Sequence, residues 1–200
     1  LRKWVTQAIV TENGEDKIIE SGHKAEDDPE DVVKVDLKKS KINKVTIKFR
    51  YKIRVKNEGN IAGYAKELKD YIPNGLKFVP EDNPLWKQID EKTITTDQTK
   101  DILLQPGDTT EVEVVLTWIN DSENFGVMDN WAEISKDHND FNSPDIDSTP
   151  DNNKKGEDDI DDAPVSVGVQ TGQIKTFTTI SLAVLVILSS GVVLIKKFVL

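Results

Sequence analysis

The chain has 200 residues, 26 Lys and Arg against 36 Asp and Glu, a formal net charge of −10 and no cysteine. So acidic a surface repels nucleic acid, and the lack of thiols excludes a disulfide framework, a thiolate nucleophile and cysteine-ligated zinc. The length suits one folded domain with appended segments.

Taken in order, the chain reads as a series of short strands separated by turn chemistry. Its first residue is leucine, so it reads as a mature form or a piece of something longer. The first strand candidates are Leu1 to Val10 and Lys17 to Glu20, with Asn13-Gly14 between them in the manner of a two-residue hairpin. Val32 to Leu37 follows. From Val45 to Val55 the alternation is strict: Val45, Ile47, Phe49, Tyr51, Ile53 and Val55 on one side, Thr46, Lys48, Arg50, Lys52 and Arg54 on the other. That is the pattern of a half-buried antiparallel strand. Ile61 to Lys69 and Lys92 to Thr95 are shorter candidates, set off by Glu58-Gly59 and Pro73-Asn74-Gly75. Pro106-Gly107-Asp108 then precedes a second long strand, Glu111 to Trp118, with Val112, Val114, Leu116 and Trp118 inward. Trp131 to Ser135 closes the series. No long amphipathic helix competes, and the spacing predicts an all-β, immunoglobulin-like two-sheet β-sandwich over residues 1–136.

Residues 137–175 have a different composition. Asp137 to Asp162 is crowded with Asp and Asn and nearly free of large apolar side chains, which predicts an acidic closing segment and linker, with a last strand at 163–169. Phe177 to Ile195 carries no charge over about 19 residues, long enough in helical geometry to cross the hydrocarbon layer of a bilayer. Lys196 and Lys197 come next, and positive clusters stay on the cytoplasmic side. The expectation is one transmembrane helix at 176–197, a cytoplasmic tail at 198–200, a lipid bilayer as partner, and the bulk of the chain outside a cell membrane.

Several motifs, in this order, resemble a known family. YKIRVKNEGNIAGYAKELKDYIPNGLKF is similar to the core of the DUF11 type of conserved repeat found in surface proteins of Gram-positive bacteria. The later PGDTTEVEVVLTW, NWAEIS and DIDSTPDN followed by GEDDIDDAPV match the way such repeats close, and the opening LRKWVT is similar to the first strand of isopeptide-forming fimbrial domains. The resemblance spans most of Leu1 to Val167 and implies a structural module. Thr171-Gly172 resembles part of a wall-sorting motif, but the Leu-Pro of the sortase pattern is missing, which favours membrane retention over covalent transfer to the wall.

The resemblance implies an internal Lys-Asn isopeptide bond, with Lys3 as amine, Asn130 as electrophile and Asp70 as the acid; Glu67 is the alternative acid. Such a bond needs a lysine made neutral by burial and an acid in the same apolar pocket. The competing reading is a solvated strand lysine with two loop residues. Asp145, Asp147, Asp151, Asp158 and Asp159 offer the hard oxygen ligands that calcium takes. The competing reading there is a self-repelling linker, because Pro150 stands where a helix-loop-helix calcium loop needs glycine. His23 and His138 read as surface residues, and Trp86 as packing over the sandwich edge. No constellation of a hydrolase is present. The function expected is a stalk or spacer module; the alternative is an adhesin domain that binds a host or matrix ligand. No cofactor beyond calcium is expected.

Overall fold

In the computed structural model, which describes residues 1–27, 31–144 and 147–170, the strictly alternating run becomes the strand β4 (Val45–Lys56). Ile47, Phe49, Tyr51, Ile53 and Val55 are buried on one face and the basic residues lie on the other. The remaining strands are β1 (Arg2–Glu12), β2 (Glu15–Glu20), β3 (Val33–Leu37), β5 (Tyr64–Tyr71), β6 (Leu76–Phe78), β7 (Lys87–Asp90), β8 (Thr93–Thr96), β9 (Thr109–Trp118), β10 (Gly126–His138) and β11 (Ile160–Val169). They form an all-β, two-sheet sandwich. One sheet has the order β2-β1-β4-β9-β6 and the other β3-β11-β10-β5-β8-β7.

Side chains of both inner faces make one core. Val5, Phe49, Tyr51, Ile53, Val114 and Leu116 come from the first sheet, and Leu68, Ile94, Ala132, Ala163, Val165 and Val167 from the second. Period-two alternation makes this possible, because each strand presents every other side chain to the partner sheet. The β1–β2 hairpin closes through Asn13 (φ 53°) and Gly14 (φ 83°), the left-handed pair that a tight hairpin turn requires. A bulge between Val5 and Gln7 resets the phase of β1: Lys3, Val5 and then Ala8 are buried, and so is Trp4, whose ring lies against Arg54.

Three features differ from the expectations of sequence. β6 and β7 are short strands at the ends of the two sheets, too brief for a periodic signal. β10 continues to His138, so the sandwich does not end at residue 136. β11 begins at Ile160, inside the zone expected to be coreless. It is an interior strand, antiparallel to β10 and parallel to β3. Its start was hidden because Asp161 and Asp162 interrupt the alternation that Ala163, Val165 and Val167 carry. No helix among the described residues is long and apolar enough to cross a membrane; the span expected at 176–197 and the tail at 198–200 lie outside the described residues.

Candidate functional site

Three buried polar side chains converge on the inner face. Lys3 comes from β1, Asp70 from β5 and Asn130 from β10; their exposures are 2 %, 0 % and 0 %. Lys3 Nζ lies 2.5 Å from Asp70 Oδ2 and 2.6 Å from Asn130 Oδ1. Asn130 Nδ2 donates to Asp70 Oδ1 at 2.8 Å and to the Tyr71 carbonyl at 3.0 Å. The three residues therefore close a ring of contacts across the two sheets. Because the Tyr71 carbonyl only accepts, it fixes which end of the Asn130 amide faces Lys3: the oxygen. The Tyr51 ring lies beneath the amine, 5.1 Å from Nζ to the centroid. The main-chain N–H of Lys3 donates to Asp161 Oδ2 at 2.7 Å, which holds the start of β1 against the start of β11.

Burial pushes the Lys3 amine below its ordinary value, and Asp70 opposes that push. A lowered lysine is the form that surrenders a proton and becomes a nucleophile. Asp70 bridges the amine and the amide nitrogen of Asn130. It is placed to move a proton from one nitrogen to the other. Glu67 is not part of this ring: it accepts from Ser135 Oγ at 2.9 Å and from Lys136 Nζ at 3.0 Å.

Where the sequence suggested a linker, residues 147–159 form an ordered loop over the outer face of the second sheet. Its anchor is Glu133 of β10, fully buried, whose Oε1 accepts the main-chain N–H groups of Asn152 (2.7 Å) and Asn153 (2.9 Å) and whose Oε2 accepts the Tyr71 hydroxyl. Glu157 ties the loop to itself, accepting from Thr149 N, Asn152 Nδ2 and Lys154 Nζ, and its carboxyl is held down at about 2 by these donors, Lys154 first. Asp151 and Asn153 turn through positive φ (64° and 50°) to make the bend. Glu133 carried no mark in the sequence. It sits at an outward position of its strand, and its burial is supplied by a loop about twenty residues later.

The five candidate calcium ligands are not gathered together. Asp147, Asp151 and Asp158 are exposed, Asp151 pairs with Lys69, and Asp159 alone is buried; Asp145 lies outside the described residues. Among the described residues no three Asp, Glu, His or Cys side chains converge as metal ligands. His138 is exposed and stacks on Tyr64 at 6.1 Å, and Trp86 is buried, its Nε1 donating to the Glu113 carbonyl at 2.7 Å.

An acidic pair, Asp129 and Asp162, spans β10 and β11. Asp162 is pushed up to about 7 by burial first, then by its hydrogen bond to Asp129 and the charges of Asp129 and Asp161, against the opposing Lys155. Its folded value lies above the unfolded value near 4. The folded state therefore binds the extra proton between about pH 4 and 7, and the stability that proton contributes is complete at the acid end and lost as pH rises through 7. We expect the urea midpoint to fall from pH 5 to pH 8, and to fall less in Asp162→Asn. Equal falls in the two proteins would show that the pair does not titrate in this way.

No protein-family model matches the chain, and no curated protein matches it. Fold and site thus define a class by geometry alone: a two-sheet β-sandwich with a buried Lys-Asp-Asn ring joining its sheets.

Proposed function

We propose that the domain is a structural stalk or spacer of the immunoglobulin-like, DUF11-type kind, part of a membrane-anchored surface protein and rigidified by a covalent bond between Lys3 and Asn130. The observation that carries this reading is the buried ring of Lys3, Asp70 and Asn130. An ion pair shut inside a core gains little net stability over apolar side chains of similar size. A ring with amine, carboxamide and carboxylate all within hydrogen-bond distance is better explained as the precursor of a reaction. Asp70 takes one proton from the Lys3 ammonium, and the freed lone pair attacks Asn130 Cγ. The Lys3 nitrogen gives up a second proton as the tetrahedral carbon forms, the bond from Cγ to Nδ2 breaks, and Asp70 passes both protons in turn to the departing nitrogen, which leaves as ammonium, that is, ammonia and a proton released to solvent. An amide remains, with no oxidant or cofactor required.

The spacer reading is favoured over an adhesin because the aromatic residues that would form a recognition patch are engaged: Trp86 is packed into the core and Tyr71 is tied to Glu133. Intact mass spectrometry tests the proposal. The purified chain should read about 17 Da below its sequence mass, the loss of one ammonia. A full-length mass without that deficit would leave a non-covalent sandwich.

A further inference from the structure

On the outer face of the second sheet lies an acidic cluster that the crosslink does not use. Glu133 is held there by three donors, the Tyr71 hydroxyl and two loop N–H groups. Asp159 sits beside it at the entry to β11, its carbonyl accepting the N–H of Ile134 at 2.9 Å. The Asp159 side chain is buried, with 4 % exposure for the residue, and neither carboxylate oxygen has a hydrogen-bond partner. The charged groups that act on it most are Glu133, Glu157 and Asp158, all negative, and Tyr71 in turn feels Asp159. Two lysines of the region are already engaged, Lys69 with Asp151 and Lys154 with Glu157.

A buried carboxylate without a donor and ringed by like charge is strongly unfavourable unless a cation is present. We propose that Asp159 and Glu133 form a binding site for a divalent cation of the calcium type, covered by the loop 147–158. Two carboxylates are too few for a site built from side chains alone. Calcium completes a shell of six to eight oxygens with main-chain carbonyls and water, and a loop of turns supplies the former. Zinc, which prefers nitrogen and sulfur, fits poorly. Such an ion would pin the loop to β10 and β11, a pinning that the crosslink between Lys3 and Asn130 does not provide.

The test uses the full chain in a chelator and in calcium, with Asp159→Asn beside the wild type. At calcium about a hundred times the Kd, the wild type should melt about 5–10 °C higher than in chelator. Terbium bound in place of calcium should luminesce on excitation of Tyr71 and Trp131 and be displaced by calcium. Asp159→Asn should lose both responses, and in chelator it should melt no lower than the wild type, because the unpaired charge has gone. A wild type whose melting does not move in several millimolar calcium overturns the proposal. So does a shift of equal size in Asp159→Asn, which would place the ion elsewhere on the acidic surface.

Discussion

Stretched between handles at Leu1 and Gln170, the crosslinked domain should release roughly 40 residues and no more, about 14 nm of chain at 3.6 Å per residue, less about 3 nm already spanned by the folded strand. The reason lies in the order of the strands. Asn130 is on β10, the penultimate strand, so a bond from Lys3 to Asn130 does not join the first strand to the last. Force entering at Lys3 crosses to Asn130 and bypasses everything between them. Residues 131–169 remain in the load path and are held without covalent help. β11 starts beside Lys3, where Asp161 accepts the Lys3 N–H, and runs ten residues away from it between β10 and β3. Pulling on Val169 therefore slides β11 along both neighbours and loads its hydrogen bonds together. Resistance should be high, followed by one step of fixed length. Without the bond, the roughly 170 residues of the domain would extend by about 60 nm at the same length per residue. Release of the longer length from protein whose mass confirms the missing ammonia would refute this load path.

Asp70→Ala should restore the full sequence mass and lower the melting temperature by more than the crosslink alone accounts for. Two effects act at once. Losing a bond that closes a loop of 127 residues frees the unfolded chain, a contribution of about 5 kcal/mol by the loop-entropy relation. For a domain of this size that is on the order of 10–20 °C. The substitution also leaves the Lys3 amine buried with only Asn130 Oδ1 for a partner, and removing one member of a buried pair costs about 3–5 kcal/mol in its own right. Lys3→Met with Asp70→Leu and Asn130→Leu separates the terms, since apolar replacement of all three leaves no orphaned charge or amide. The triple variant should lose the crosslink and about 10–20 °C only, and should extend under force to the full length. A triple variant as stable as the wild type would mean that no covalent bond contributes.

The strands that alternate were legible in the sequence, because period two is a property of the chain itself. Val45 to Val55 and Glu111 to Trp118 could hardly bury their apolar sides in any other way; Pro106-Gly107 marks where the second of them begins, and Asn13-Gly14 marks the hairpin between β1 and β2. Lys3, Asp70 and Asn130 were nameable through the resemblance of their surrounding motifs. Their convergence was not, since three residues separated by 67 and 60 positions meet only when the two sheets pack. What the tertiary structure alone decided is of that kind. Glu133 looks like a solvated outward residue until a later loop covers it, and Asp159 looks like one charge in an acidic run until burial removes its water. β11 was obscured by the two aspartates at its start, yet it takes an interior place because β10 and β3 both offer it a free edge. A sequence records which face of a strand is apolar. Which polar groups are then shut away from water, and in whose company, depends on surfaces supplied from elsewhere in the chain.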